Sequence, residues 1–129
     1  MNQGYLLDTD IMIAFLRGYS PSVDLLTDLV EKGAKFSISA VTVVEIETGI
    51  QNREREKTNE FLDVLEIHPL ERKTAHWAGR FLREYRNKGI SLGLADAIIG
   101  ATAIIQNLTL LTYNACHYPM PEIKIFQPQ

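Results

Sequence analysis

Residues 5–18, YLLDTDIMIAFLRG, contain a short apolar run, a polar triplet and a second apolar run that ends at a glycine. The first run is typical of a buried strand and the second of a helix, since Gly18 is a common helix stop. We interpret the stretch as a strand, a tight turn at Asp8-Thr9-Asp10 and a helix. The same alternation recurs along the chain, which predicts a parallel sheet with helices on both faces.

Local patterns predict the remaining elements in the same way. Residues 40–51 are rich in β-branched side chains, which favour strands, but they follow a strand without a turn. Because Ser39 is a good N-cap and the chain must return across the sheet, we predict a helix there. Further strands are predicted at 35–39, 66–70, 109–112 and 123–126, and further helices at 20–33, 59–65, 73–87 and 94–106.

Length and composition indicate one globular domain over residues 1–129, with 46% hydrophobic and 22% charged residues and no internal boundary. Cys116 is the single cysteine, which excludes an intramolecular disulfide and any multi-cysteine zinc or iron–sulfur site. We therefore expect a reducing, cytoplasmic location. The start of the chain lacks the pattern of a signal peptide, and no apolar run approaches the ~20 residues that span a bilayer, so we expect no membrane association.

Three acidic residues, Asp8, Glu45 and Asp96, each lie among apolar residues. Burying a carboxylate is unfavourable unless it is paired, hydrogen-bonded or bound to a metal. In a parallel sheet, ligands bind outside the carboxyl ends of the strands, where the predicted elements place these acids. Oxygen ligands suit Mg²⁺ or Mn²⁺ rather than zinc, and the three histidines are not at metal-ligand spacings.

Structural roles compete with metal binding at each acid. Asp8 and Asp96 are both placed to cap helices, and this interpretation and a site role stay open for each. Glu45 lacks a capping role inside an apolar helix, although it has the alternative of pairing with a buried arginine. Asp10 is better explained as a first-turn acid favoured by the helix dipole than as a ligand.

Four segments, taken in order, resemble the PIN-domain ribonucleases, and specifically the VapC toxins of prokaryotic toxin–antitoxin pairs. They are Leu7-Asp8-Thr9, Ser39-x-x-Thr42-x-x-Glu45, Leu94–Ala103 and Leu110–Tyr118. The resemblance runs from Tyr5 to about Phe126 and implies a three-layer α/β/α sandwich with a short parallel sheet. It also implies a metal-dependent endoribonuclease, a homodimer, and a cognate antitoxin that holds the enzyme inactive.

By resemblance, Asp8, Glu45 and Asp96 are the catalytic acids around Mg²⁺, with Mn²⁺ as an alternative ion. Asp8 and Asp96 are expected to bind the ion directly, and Glu45 to assist the ion or a water. Thr9 is expected to support the first acid by hydrogen bonding.

Asn114 occupies the place where many relatives have a fourth acid, and is expected to be a catalytic residue. An asparagine there argues against a second tightly held ion. Thr112, otherwise an ordinary turn residue, is expected to support the site. Gly100 and Tyr118 stand where alanine and phenylalanine are expected, and we interpret both as packing substitutions.

The charge distribution allows one local surface for RNA. The net charge is minus 3, which argues against indiscriminate binding of polyanions, but residues 72–88 sum to plus 5. Arg80, Arg83 and Arg86 on this predicted helix are the candidate contacts for RNA phosphates. A solvated helix face and a surface for an acidic antitoxin tail are equally compatible with the pattern.

Other functions are less well matched. Asp8-Thr-Asp10 also resembles the nucleophile motif of haloacid-dehalogenase-like phosphatases, but residues 110–115 supply no later acidic pair. A receiver-like binding module would need an aspartate near residues 68–70, which are His-Pro-Leu. A housekeeping PIN-domain nuclease without an antitoxin would use the same acids and stays an alternative.

Overall fold

One parallel sheet forms the centre of the molecule, whose computed structural model describes residues 3–129. Its strands are β1 (Gly4–Leu7), β2 (Lys35–Ser39), β3 (Glu66–His68), β4 (Thr109–Leu111) and β5 (Ile125–Phe126). They pair in parallel throughout, in the spatial order β3-β2-β1-β4-β5. The last four strands lie within the predicted segments, and β1 begins one residue before its predicted start at Tyr5, so the parallel sheet is confirmed.

Helices occupy the connections between strands. They are α1 (Thr9–Leu16), α2 (Ser20–Glu31), α3 (Ala40–Gly49), α4 (Arg55–Val64), α5 (Arg72–Asn87) and α6 (Leu94–Ile105). The β-branched segment is helical, as predicted, and the side chain of Ser39 caps α3 by accepting a hydrogen bond from Val41 N at 3.2 Å. The helix predicted from residue 59 begins four residues earlier, at Arg55, because a short 3₁₀ turn with a reciprocal Gln51–Glu54 capping box leads into it.

Alternate side chains of the strands pack into separate cores. Tyr5 and Leu7 of β1 pack in one core with Ile11 and Met12 of α1 and with α2, whereas Leu6 packs in another with α5 and α6. This alternation follows from the two-residue period of a strand. The sheet is therefore covered on both faces, which confirms the three-layer α/β/α architecture.

The topology brings two strand ends together at one point. From β1 the chain winds outward through β2 to β3, then returns through α5 and α6 to β4 on the other side of β1. Such a reversal opens a crevice at the carboxyl ends of the two adjacent strands. Asp8 directly follows β1 and Thr112 directly follows β4, so both lie at this crevice.

Two further predictions concern the membrane and the extent of the domain. Within residues 3–129 there is no helix both long and apolar enough to cross a membrane. The first two residues of the predicted 1–129 domain lie outside the described part, and the extent of the domain stays a prediction.

Candidate active site

Asp8 lies at the centre of the crevice, with only 6% of its surface exposed. It is the N-cap of α1, and its Oδ1 accepts a hydrogen bond from Thr9 N at 2.7 Å. Its Oδ2 accepts two more, from the hydroxyls of Thr112 at 2.7 Å and Tyr118 at 2.9 Å. Asp8 thus both caps α1 and belongs to the candidate site. A carboxylate oxygen has two lone pairs, so both on Oδ2 are engaged and one on Oδ1 stays free for a ligand.

Asp96 approaches Asp8 through a shared neighbour. It lies in the first turn of α6, whose N-cap is Gly93, so the helix-capping interpretation of Asp96 is wrong. The Tyr118 hydroxyl that donates to Asp8 is also 3.3 Å from Asp96 Oδ1. Burial raises the pKa of Asp96, and the negative charges of Asp8 and Glu45 raise it further. The three predicted acids therefore share one electrostatic environment.

Glu45 reaches the crevice from α3 and is half-buried. Its Oε1 accepts a hydrogen bond of 2.6 Å from the hydroxyl of Thr9, whose oxygen also lies 3.1 Å from the hydroxyl of Thr42. Thr9 supports Asp8 as predicted, but through its backbone N–H, while its side chain holds Glu45. Thr9 therefore links α1 to Glu45 through a hydrogen bond.

Asn114 joins the site indirectly. Its exposed side chain donates a 2.7 Å hydrogen bond to Asp10 Oδ2, which also accepts from Tyr113 N at 3.1 Å. Asp10 is a first-turn acid of α1, as predicted, and its pKa is raised by burial and by the charge of neighbouring Asp8. Within residues 3–129, the buried Asp10 Oδ1 has no hydrogen-bond partner. Asn114 therefore holds a further acid beside Asp8 rather than contacting Asp8 itself.

Tyr118 is the site residue that the sequence interpretation missed. We predicted a packing substitution, and its ring is indeed buried, but its hydroxyl lies between two of the acids. Burial and the charges of Asp8 and Asp96 raise the pKa of Tyr118, so its hydroxyl keeps the proton that it donates. A tyrosine where phenylalanine is expected adds one polar atom to an apolar position. This extra atom was the feature of the sequence that could have indicated a role for Tyr118 in the site. Gly100 is a packing position, since a Cβ there would lie 2.7 Å from Ile123 Cδ1.

The arginines of α5 form a surface separate from the acids. Arg80, Arg83 and Arg86 are exposed, and Arg80 pairs with Glu84 at 2.9 Å. In the part of the chain that the structure describes, none of them forms an ion pair with an acid of the crevice. The buried face of α5 does approach the site, because Tyr85 donates to the carbonyl of Pro119, next to Tyr118.

The acids fit a magnesium ion that keeps much of its water. Across residues 3–129, no three His, Cys, Asp or Glu side chains are close enough to form a ready-made metal site. The predicted trio of Asp8, Glu45 and Asp96 is therefore not a closed cage. Mg²⁺ is commonly held by one or two carboxylates with water completing its shell, and the Asp8–Asp96 pair supplies such a donor set. The unpartnered Asp10 Oδ1 adds a further oxygen without a donor.

Comparison with known proteins places this geometry in a family. The family model for the PIN domain matches residues 5–118. The chain belongs to the PIN-domain family. Within it, the chain is similar to Ribonuclease VapC10 of Mycobacterium tuberculosis, with 36% identity over 117 residues that cover 91% of this chain and 87% of that relative. The resemblance to VapC-type PIN proteins is thereby confirmed, and the phosphatase and receiver alternatives are disfavoured.

Two solved structures illustrate that the fold is shared. VapBC2 from Rickettsia felis, crystallised with a DNA fragment from its promoter, matches with a TM-score of 0.86 and 25% identity over 98% of this PIN-domain chain and all of that one. A toxin–antitoxin complex from Klebsiella pneumoniae matches with a TM-score of 0.79 and 26% identity, covering 97% and 98% of the two chains. The α/β/α prediction is confirmed over nearly the whole chain.

Replacing Asp96 with asparagine is expected to stabilise the metal-free PIN domain at neutral pH. A raised pKa means that the folded state binds the proton more tightly than the unfolded state, so stability falls as pH rises through the raised pKa. The amide carries no charge and therefore escapes this loss. We expect the melting temperature in EDTA at pH 7.5 to rise by about 2–5 °C.

The matched control is Asp24→Asn, which changes an exposed acid on α2. It should leave the melting temperature unchanged at pH 7.5 and at about pH 4. The gain from Asp96→Asn should shrink as the pH is lowered towards about 4, the ordinary pKa of an aspartate. An equal or lower melting temperature for Asp96→Asn at pH 7.5 would contradict the repulsion among the acids.

Proposed function

We propose that this PIN-domain chain is a Mg²⁺-dependent endoribonuclease that hydrolyses RNA phosphodiesters in the crevice of Asp8, Glu45 and Asp96. The observation that carries the proposal is the pair Asp8 and Asp96. The Tyr118 hydroxyl links the two acids beside the carboxyl ends of β1 and β4, where the strand order changes direction. The name of the Mycobacterium tuberculosis relative, a ribonuclease, supports the same reaction.

Asp8 and Asp96 are the residues that would hold the ion, Mg²⁺ or alternatively Mn²⁺. When bound, such an ion polarises a phosphoryl oxygen and lowers the pKa of a water for in-line attack at phosphorus. Glu45 has Oε1 held by Thr9, which orients its carboxylate to accept a proton from that water. Thr112 and the backbone of Thr9 are two of the donors that hold the Asp8 carboxylate.

Asn114 contributes through Asp10. By donating to Asp10 Oδ2, its amide keeps that acid against the β4 end of the crevice, beside Asp8. We propose that Asn114 is a positioning residue in catalysis. With an asparagine in place of a fourth acid and no three-ligand cluster among the described residues, the site is suited to one tightly held ion rather than two.

The exposed basic face of α5 is the proposed contact for RNA. Arg83 and Arg86 are exposed on its C-terminal half, near the segment that carries Tyr118. Contacts of this kind neutralise phosphates and release counterions, so RNA binding should weaken as salt concentration rises. Arg80 is partly neutralised by Glu84 and is the weaker of the three candidates.

We also propose that the chain is the toxin of a toxin–antitoxin pair, restrained by a partner protein. The matching Klebsiella pneumoniae structure is a toxin–antitoxin complex, and that likeness extends over 97% of this chain. A homodimer and a cytoplasmic location stay predictions from the sequence. A short neighbouring reading frame for a DNA-binding protein would distinguish a restrained toxin from a housekeeping nuclease.

The reaction is tested with purified protein, structured RNA and either Mg²⁺ or EDTA. We expect discrete fragments with Mg²⁺ and none with EDTA, because the carboxylates alone do not activate water at neutral pH. Equal cleavage in both buffers would contradict metal dependence, and a phosphoryl-aspartate trapped at Asp8 would revive the phosphatase alternative.

A further inference from the structure

The hydroxyl of Tyr118 occupies a position that packing alone does not require. It donates to Asp8 Oδ2 at 2.9 Å and lies 3.3 Å from Asp96 Oδ1, so one oxygen contacts both carboxylates. Asp8 directly follows β1, whereas Asp96 lies in the first turn of α6, far away in the sequence. A phenylalanine would fill the same space and make neither contact.

The ring of Tyr118 is held firmly in place. Only 3% of the residue is exposed, and it belongs to the same core as Phe81, Ile99 and Met120. The next residue, Pro119, is anchored by a hydrogen bond of 3.1 Å from the Tyr85 hydroxyl to its carbonyl. Gly100 of α6 lets this segment pack closely, because an added Cβ would lie 3.7 Å from Tyr118 Cδ1 and closer still to its neighbours. The position of the hydroxyl is therefore set by the core rather than by the acids.

A fixed hydroxyl determines which oxygens of the acids are left for a cation. Thr112 and Tyr118 together engage both lone pairs of Asp8 Oδ2, while Thr9 N engages one of the two on Oδ1. Among the residues that the structure describes, these donors leave one lone pair of the carboxylate, on Oδ1, for a cation. Without the Tyr118 hydroxyl, Oδ2 regains a lone pair and the carboxylate loses one of the three donors that hold it.

We propose that Tyr118 is a positioning residue that orients Asp8 and Asp96 so that Oδ1 of Asp8 faces the divalent cation. The assignment rests on the proposed function, since it concerns the ion that those acids would hold. Partners that orient metal ligands in other proteins typically change metal affinity 10–100-fold when they are removed. Tyr118→Phe keeps the ring and removes only the hydroxyl, so it isolates this role from packing.

The test is a titration of metal-stripped protein with Mn²⁺ alone, without RNA, read from the loss of the free Mn²⁺ signal in electron paramagnetic resonance. We expect Tyr118→Phe to weaken Mn²⁺ binding about tenfold or more relative to the wild type. Thr112→Val removes the other donor to Asp8 Oδ2 and should weaken binding in the same direction. This second variant keeps the proposal testable if Tyr118→Phe does not fold.

The matched control is Tyr5→Phe, which removes the hydroxyl of a buried tyrosine in the other core, where its ring packs against Phe36 and Phe126 rather than beside the acids. Its Mn²⁺ affinity should equal that of the wild type. Equal affinity of Tyr118→Phe and wild type would overturn the positioning role while leaving the metal site intact. An equal loss in Tyr5→Phe would show a general effect of removing a tyrosine hydroxyl and would also overturn it. Absence of Mn²⁺ binding by the wild type would overturn the metal site itself, and this assignment with it.

Discussion

RNA cleavage is expected to fall by about 100-fold or more when Asp8 is replaced by asparagine, because the variant loses a few kcal/mol of transition-state stabilisation. Asparagine caps helices about as well as aspartate, so α1 should still form. What the variant lacks is the negative charge at the centre of the crevice, next to the lone pair of Asp8 Oδ1 that no donor within residues 3–129 engages. The measurement is the initial rate of cleavage of structured RNA at saturating Mg²⁺.

Asp24→Asn is the matched control for this loss, since it makes the same substitution at an exposed acid on α2. It should cleave at the wild-type rate. Circular dichroism should show the same helical content in both variants and in the wild type. An Asp8→Asn protein that is folded and cleaves as fast as Asp24→Asn would rule out Asp8 as a residue of the active site.

Growth arrest is the second large effect expected, upon inducing the chain alone in a bacterial host. A nuclease that a partner protein restrains is expected to damage its host when it is produced without that partner. Colony counts should drop after induction of the wild type and recover when a candidate antitoxin is produced with it.

The matched control for toxicity is the Asp96→Asn variant, produced to the same level. It retains the fold, and we expect normal growth because one of the two proposed ion-binding charges is gone. Arrest by Asp96→Asn would show that toxicity does not depend on cleavage. Normal growth with the active wild-type enzyme would favour a housekeeping nuclease over a toxin.

Most of the fold was accessible from the sequence because local patterns determine it. Apolar runs that end in polar or glycine residues marked the strands and helices, and the two-residue alternation of β1 matches its two-sided burial. The helix α3 shows where local propensity is insufficient. Its β-branched residues favour a strand, and it is helical because Ser39 caps it and the chain must cross the sheet.

The acids of the site were predictable for a similar reason. Asp8 and Asp96 stand out as single charges in apolar segments, and the strand order places them at one crevice. Their hydrogen bonds were not predictable, because partners such as Asp8 and Tyr118 are 110 residues apart. Whether such side chains meet depends on the register of β1 and β4 and on the path of the following loop. Neither leaves a local signal in the sequence.

The position of the basic surface illustrates the same limit. A charge sum identifies α5 as basic but does not say which way its arginines point. In the structure Arg83 and Arg86 face solvent, while Tyr85 between them is buried and bonds to the segment of Tyr118. The helix thus connects an exposed basic face to the core beside the acids.

The origin of the oxygen atom that enters the product is the measurement that decides between hydrolysis in this crevice and other routes of RNA cleavage. RNA is cleaved by the wild-type protein with Mg²⁺ in water labelled with oxygen-18, and the new ends are analysed by mass spectrometry. Water attack at phosphorus predicts one labelled oxygen in each new terminal phosphate, with Mg²⁺ present and with Asp8 intact. Unlabelled cyclic phosphate ends, or labelled ends formed equally in EDTA, would contradict a hydrolysis that depends on a metal ion held by Asp8 and Asp96.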